Sequence, residues 1–136
     1  MKSELNIQIL ENAITTLKEA FEAYQTNSDL SIKDIVADSC VKRFEYTIET
    51  SIKIMKKYLK LEYAKEEKEL TINNTFRFMQ GYELIKNWEN WRLYYAKRND
   101  TSHEYNLQKA RELLDILPEF IIDADFLLKS LKARLK

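Results

Sequence analysis

The sequence contains one glycine, one proline, one cysteine and one histidine among its 136 residues. An all-β fold needs turn residues at short intervals, so the shortage of glycine and proline argues against one and favours helices. The lone cysteine, Cys40, excludes a disulfide within the chain and any metal site built from several thiolates. Because Val36 and Phe44 stand at helical spacing from Cys40, we interpret it as a small buried hydrophobic residue.

An excess of charge of either sign is also missing. The 22 basic residues balance the 22 acidic ones, so the formal net charge is zero. This balance argues against a protein that binds nucleic acid by bulk electrostatics alone, although it leaves room for a local basic site. No apolar run approaches the ~20 residues that a membrane span requires, and the first residues carry no secretory pattern. We therefore expect a cytoplasmic protein that does not associate with membranes.

Helical periodicity, in contrast, runs through most of the sequence, with apolar residues three and four positions apart. The pattern predicts helices over about residues 3–25, about 32–63, a short segment around 76–79, residues 88–98, and from about 101 to 135. The first helix is expected to bury Leu10, Ala13, Ile14, Leu17, Ala20, Phe21 and Tyr24. The second is expected to bury Ile32, Val36, Cys40, Phe44, Ile48, Ile52, Met55 and Leu59. The inner positions of the last helix are Leu107, Ala110, Leu114, Leu117, Ile121, Ala124, Leu128, Leu131 and Leu135. In the absence of linkers or repeats, residues 1–136 are expected to form one domain. We predict an all-α fold, an antiparallel up-and-down bundle of four to five helices. The expected caps are Ser3, Ser31, Asn73 or Asn74, Gly81 and Asn87.

The last helix has inner positions that alternate three and four residues apart, a sustained heptad seam. The seam continues in phase through Pro118, so we expect a kink there and not a break. Such a seam, together with the tryptophan-rich fourth helix, offers more apolar surface than one small bundle easily hides. We therefore expect a homodimer.

The candidate site is the stretch from Arg98 to Tyr105, which contains the only histidine. Arg98 continues the helical stripe of Trp88, Trp91 and Tyr95. Thr101 and Glu104 have capping-box spacing, which predicts that the last helix begins there with His103 in its first turn. The positive end of a helix favours a neutral imidazole, which can accept a proton.

A proton-transferring imidazole beside a permanent guanidinium suits cleavage of RNA by its own 2′-hydroxyl. In this hypothesis His103 transfers protons and Arg98 stabilises the charge on the phosphorane. No metal is required, and one histidine without a carboxylate cluster makes a poor metal site. A two-fold dimer would place two copies of the pair in one cleft. The alternative is structural, since an arginine at a helix end and a histidine near a cap are both ordinary features.

Two further features have a functional and a structural interpretation. Tyr105 is expected to point to solvent beside the site, where a covalent modification would block the site, although an ordinary surface tyrosine is the simpler interpretation. The lysines of the second helix form either a solvated face or a patch that attracts phosphate, and the solvated face is the simpler interpretation. They are Lys53, Lys56, Lys57 and Lys60.

Four segments, which follow one another along the chain as they do in the family, resemble a known family over nearly the whole chain. The run from Arg98 to Tyr105 is similar to the HEPN-domain motif in the form R-N-x-x-S-H-x-Y. The run from Val41 to Thr47 resembles the V-x-R-F-E-Y/F-T signature of nucleotidyltransferase substrate-binding proteins, which overlap the HepT toxins. The helix from Trp88 to Arg98 and the segment from Leu117 to Phe120 resemble the tryptophan-bearing helix and the I-P-x-F segment of that family.

The resemblance implies a dimeric HEPN-like bundle whose partner is an MNT-type nucleotidyltransferase antitoxin. It implies a toxin that is a metal-independent endoribonuclease acting on an RNA substrate, with no cofactor. Arg98, Asn99 and His103 would be catalytic, and Tyr105 would be the residue that the partner adenylylates to silence the site. The alternative is a non-catalytic subunit that binds substrate for a two-component nucleotidyltransferase.

Two interpretations remain beside these. One is a plain dimerising bundle with no chemistry, in which variants of Arg98 and His103 change stability only by amounts typical of surface sites. The other concerns Arg43 and Glu45, which belong to the family signature. A structural Arg–Glu arrangement, buried or at an interface, is the simpler interpretation of these two residues.

Overall fold

The computed structural model describes residues 5–103 and 107–135, and all their side chains except those of Ser102 and His103. These residues form five α-helices and one 3-10 turn, Glu67–Glu69, and contain no strand. The expected all-α fold is therefore confirmed, with the larger of the two predicted helix numbers. The helices are α1 (Ile7–Thr26), α2 (Leu30–Tyr63), α3 (Ile72–Gly81), α4 (Trp88–His103) and α5 (Leu107–Arg134).

The central helix is α2, which packs against each of the other four. Its predicted buried face is confirmed from Cys40 to Leu59, where Phe44, Ile48 and Met55 are fully inaccessible. Ile32, predicted to be buried, is 43% exposed. The reason is its place in the first turn of α2, at the rim of the bundle just after the short connection from α1.

The inner face of α5 is wider than the predicted heptad seam. Leu114, Leu117 and Leu128 of the seam are buried, but Phe120 and Leu127 from a second row are buried as well. The helix continues through Pro118, as predicted. Because α5 packs against α1, α2 and α4, it buries most of its apolar surface inside one copy of the chain. The seam therefore gives less support to a dimer than its sequence suggests, and the homodimer stays a prediction.

The helix caps show which local signals were reliable. Asn87 caps α4 as predicted, since its Oδ1 accepts the backbone N–H groups of Glu89 at 2.8 Å and Asn90 at 3.2 Å. The cap of α2 is Asp29 and not Ser31, because the Asp29 carboxylate accepts the Ser31 N–H at 3.0 Å.

Both predicted caps of α3 were wrong, and the predicted cap of α1 lies outside the described residues. Thr71 caps α3 through the Asn74 N–H, so neither Asn73 nor Asn74 is its cap. Gly81 is the last residue of α3, and Tyr82 follows as its C-cap. Asn6 caps α1, while the predicted Ser3 lies outside the described residues. Neighbouring polar residues compete for the same free N–H groups, and only the path of the backbone decides among them. Over the described residues, no helix is long and apolar enough to cross a membrane.

Candidate active site

The candidate site lies on the last turns of α4, which extends five residues past the predicted end at Arg98. Thr101 belongs to α4 and is 4% exposed, with its hydroxyl donating to the Glu45 carboxylate of α2 at 2.8 Å. The prediction that Thr101 starts the last helix was therefore wrong. A carboxylate on the neighbouring helix binds the hydroxyl that the capping box would have used, and the sequence alone does not place that carboxylate.

This boundary changes the electrostatic argument for His103. His103 is the last residue of α4 and not part of the first turn of the next helix. The C-terminal end of a helix carries a partial negative charge, which favours cations. The prediction that a helix dipole favours a neutral imidazole here was therefore wrong in sign. The His103 side chain and all of Tyr105 lie outside the described residues.

Arg98 is held in place by two neighbours. Its Nε donates to Oε2 of Glu49 at 3.0 Å, and its Nη2 donates to the same oxygen. Its Nη1 donates to Oδ1 of Asn99 at 3.1 Å. The hydrogen bond that Arg98 donates to Glu49 raises the pKa of Arg98 above its ordinary value, so the guanidinium keeps its charge at any working pH.

Among the described residues, the contacts of Arg98 use only part of its donors. A guanidinium has five N–H donors, and within the described part of the chain three of them have acceptors. The side chain is 27% exposed, so the remaining two donors belong to a group that solvent or an anion can reach. An immobilised, permanently charged donor of this kind can stabilise negative charge that develops on a phosphate.

Glu49 is the residue of this site that the sequence interpretation missed. It stands four residues after Glu45, so the two carboxylates share one face of α2, the face that meets the end of α4. That spacing was the available signal, but it is indistinguishable from an ordinary charged helix face. Arg43 does not pair with Glu45; it is exposed, and its Nε donates to Ser39 at 3.3 Å. A buried Arg43–Glu45 arrangement is therefore not found within the described residues, and an arrangement of these two residues at an interface stays a prediction.

A buried aromatic cluster packs α4 against α5. Trp91 and Tyr94 are 1% exposed, and their rings contact Phe120 of α5 edge-to-face, with ring centroids 5.7 Å and 5.1 Å apart. The Tyr94 hydroxyl donates to the buried carboxylate of Asp123. The sequence interpretation chose Tyr95 for the inner face, but Tyr95 is only half-buried. The cluster fixes the rotation of α4 and so presents Arg98, one turn after Tyr94, to α2.

The structure thus brings two of the three predicted catalytic residues together, Arg98 and Asn99, and adds Glu49 beside them. Across residues 5–103 and 107–135, no group of three His, Cys, Asp or Glu side chains could hold a metal ion. Chemically, the described part of the site is an anion-binding guanidinium with an amide neighbour. General acid–base cleavage of a phosphodiester would also need a proton-transferring group, and His103 is the candidate for that role.

Comparisons with known proteins agree with the fold. The chain is 26% identical to a Haemophilus influenzae protein named probable ribonuclease HepT, covering 98% of this chain and 97% of that protein. A solved Haemophilus influenzae structure, described as a substrate-binding domain of a nucleotidyltransferase, superposes with a TM-score of 0.83 at 24% identity. It covers 93% of this chain and 99% of that one, and it supports the fold.

A Thermus thermophilus crystal structure is 28% identical, with a TM-score of 0.68 over 93% of this chain and 98% of that one. The family model described as nucleotidyltransferase substrate binding protein like matches residues 5–133. That match spans all five helices and includes the residues that hold Arg98. The chain therefore belongs to the family of nucleotidyltransferase substrate-binding-like proteins.

Proposed function

We propose that this protein is a metal-independent endoribonuclease, the HepT-like toxin of a HEPN/MNT toxin–antitoxin pair. The observation that carries the proposal is the fixed guanidinium of Arg98, held by Glu49 and Asn99 five residues before the only histidine. The name probable ribonuclease of the Haemophilus influenzae relative supports it. Membership of the family also supports a nucleotidyltransferase as the partner.

The reaction would be an in-line displacement at phosphorus. The RNA 2′-hydroxyl attacks the adjacent phosphorus, and the bond from phosphorus to the 5′-oxygen breaks. The products are a 2′,3′-cyclic phosphate and a 5′-hydroxyl, so no water or metal is consumed. A base takes the 2′-hydroxyl proton and an acid returns a proton to the leaving 5′-oxygen. His103 would perform this transfer, while the two remaining N–H donors of Arg98 would bind the non-bridging oxygens.

A homodimer would complete the site, because one histidine must otherwise serve as both base and acid. A two-fold axis near the end of α4 would place two copies of Arg98 and His103 in one cleft. Light scattering combined with size exclusion measures the mass directly. A monomer that retained full activity would contradict this part of the proposal.

Silencing would occur at Tyr105, which follows His103 by two residues. A nucleotide attached to its hydroxyl by the MNT-type partner would place negative charge and bulk beside the guanidinium of Arg98. The bound nucleotide would then occupy the position of the substrate phosphate. Tyr105→Phe would remove the acceptor oxygen, so a cleaving Tyr105→Phe variant should resist silencing by the partner.

A second candidate function is a non-catalytic subunit that binds substrate for the nucleotidyltransferase. The description of the Haemophilus influenzae structure as a substrate-binding domain favours it. The pairing of Arg98 with Glu49 is also compatible with it, since a guanidinium that binds an anion needs no proton transfer. The two functions differ in whether His103 matters for turnover.

The test compares RNA cleavage by the wild type, His103→Ala and Arg98→Ala, with a metal chelator present and every protein mass recorded. We expect wild-type cleavage to survive the chelator, with losses of at least about a hundredfold in each variant, typical of removing a preorganised charge or proton-transfer group. The matched control is Arg92→Ala, an exposed arginine on the same helix. Its activity should remain at the wild-type level.

Each other outcome has a defined meaning. An inactive wild type of unmodified mass would contradict the ribonuclease and favour the binding subunit. An inactive wild type that carries added nucleotide mass at Tyr105 should regain cleavage when prepared as Tyr105→Phe. If that variant is also inactive, the ribonuclease proposal fails.

A further inference from the structure

The surface of α2 between α1 and α4 carries a cationic stripe, defined here as Lys42, Arg43, Tyr46, Lys53 and Lys57. Their spacing of three, four and seven residues places them on one face of the helix, and all five side chains are exposed. From Lys42 to Lys57 the stripe extends over about 22 Å at ~1.5 Å per residue. Since the whole chain has no net charge, four cations on one face are a local concentration.

The charges of this stripe are available to a ligand. Lys42, Lys53 and Lys57 form no ion pair with any other described residue, whereas Lys60 is paired with Glu67. The acidic neighbours of the stripe on α2 are Asp38, Glu45 and Glu49, of which Glu49 is paired with Arg98 and Glu45 accepts the Thr101 hydroxyl. The four cations of the stripe and Arg98 outnumber these three carboxylates, so a polyanion on this face would meet a net positive potential.

The stripe borders two clefts that meet at Tyr46. A cleft of about 370 Å³ between α1 and α2 is lined by Lys42, Arg43 and Tyr46. A second cleft of about 280 Å³ is lined by Tyr46, Lys53 and Lys57. The Tyr46 side chain is 55% exposed, which is unusual for a large aromatic residue that makes no ring contact in the described structure. The stripe thus combines two cationic flanks with a central aromatic surface.

This combination matches single-stranded nucleic acid, which binds through a basic groove for the backbone and exposed aromatic rings for the bases. A duplex encloses its base faces and gives Tyr46 nothing to stack on. The stripe also leads to the candidate active site, because Glu49 stands three residues after Tyr46 and four before Lys53 on α2. Glu49 accepts hydrogen bonds from Arg98, so the guanidinium lies on the flank of α2 that adjoins the stripe.

We infer that the cationic stripe is the path of the RNA substrate, and that the substrate is unpaired where it crosses Tyr46. The inference rests on the proposed ribonuclease function and names its substrate class. Lys42, Arg43, Lys53 and Lys57 bind phosphates, and Tyr46 stacks on a base. The strand then delivers a phosphodiester to Arg98.

Binding is measured separately from cleavage by fluorescence anisotropy. The probe is a labelled oligouridylate of about 12 nucleotides, within the range that single-strand sites cover. All its 2′-oxygens are methylated, so self-cleavage through the 2′-hydroxyl is blocked. We expect Lys53→Gln/Lys57→Gln to weaken binding about tenfold at low salt and to lower the slope of log K against log salt by about 1.4, at ~0.7 per phosphate contact. We expect Tyr46→Ala to weaken binding about tenfold and Tyr46→Phe to leave it unchanged.

The matched control is Lys68→Gln/Lys129→Gln, which removes two exposed lysines away from the stripe and should not alter binding.

The inference is overturned if the wild type does not bind the probe, if the stripe variants bind normally, or if a duplex of the same length binds equally well. It is also overturned if the stripe variants change the oligomeric mass but not RNA binding, because the face would then join two copies of the chain. Wild-type cleavage of RNA with normal binding by the stripe variants would reject the path and keep the ribonuclease. Stripe-dependent binding by a protein of unmodified mass that does not cleave RNA would keep the stripe as an RNA-binding surface and reject the ribonuclease.

Discussion

The hydrogen bond between Tyr94 and Asp123 joins α4 to α5 and should be a measurable part of the stability. Tyr94 is 1% exposed and Asp123 is 8% exposed, so little water can replace the bond. The other described donor to the same carboxylate oxygen is Nδ2 of Asn90, at a long 3.5 Å. Tyr94→Phe would keep the ring contacts with Trp91 and Phe120 and remove only the hydroxyl.

The magnitude follows from burial and charge. A hydrogen bond to a charged group contributes about 1.5–3 kcal/mol, and removing one partner leaves a buried acceptor without its donor. We take about 2 kcal/mol for Tyr94→Phe. At ~2.1 cal/mol/K per residue, a chain of 136 residues has an unfolding entropy of about 0.29 kcal/mol/K. The melting temperature should therefore fall by about 7 °C.

Thermal and denaturant unfolding, followed by circular dichroism, measure this change. The double-mutant cycle with Asp123→Asn isolates the pair, and Tyr94→Phe should cost less in the Asp123→Asn background than in the wild type. The matched control is Tyr46→Phe, an exposed tyrosine, which should stay within about 0.5 kcal/mol of the wild type. A Tyr94→Phe variant as stable as this control would refute the reasoning, since Asp123 would not then depend on the phenol.

Two further predictions concern Glu49 and Cys40. Glu49→Ala should lower kcat for RNA cleavage about tenfold by freeing Arg98 to move, while the unfolding free energy changes by less than about 1 kcal/mol because the ion pair is half-exposed. Glu49→Gln should restore most of the activity, because its amide oxygen can still accept from Arg98. The control is Glu62→Ala, at an exposed residue of the same helix, which should leave kcat unchanged. A kcat for Glu49→Ala equal to that of the wild type would contradict the positioning role. Burial raises the pKa of the Cys40 thiol to about 11, so its contribution to stability is complete below pH 9 and is lost as the pH rises through 11. Cys40→Ala should therefore show a shallower alkaline loss of stability in denaturant unfolding at pH 8 to 11, and an equally steep loss in both proteins would contradict this assignment.

Local sequence patterns predicted the helices well where burial and periodicity coincide. The apolar stripe of α1 is buried from Leu10 to Leu17 and half-buried from Ala20 to Tyr24, and the inner face of α2 is buried from Cys40 to Leu59 as expected. Asn87 caps α4 because it directly precedes an amphipathic run and no other polar residue lies nearer. Such features depend only on residues within one or two helical turns, so the amino-acid sequence is sufficient to predict them.

The boundary between α4 and α5 was wrong because a distant residue determines it. Thr101 has the sequence signature of a cap, but Glu45, more than fifty residues earlier, binds its hydroxyl and keeps it inside α4. Similarly, the choice between Tyr94 and Tyr95 depends on the rotation of α4 about its axis. Asp123 and Phe120 of α5 set that rotation through contacts that adjacent residues cannot reveal.

By itself, the sequence determined the all-α class, most helix positions and the proximity of Arg98 and Asn99, because each follows from periodicity or from adjacency along the chain. Only the tertiary structure decided that Glu49 binds Arg98 and that Glu45 binds Thr101. It also decided that Lys42, Lys53 and Lys57 of α2 border two clefts, which meet at Tyr46. The physical reason is that these contacts join groups far apart in sequence, whose distances are fixed by the packing of α2 against α1 and α4.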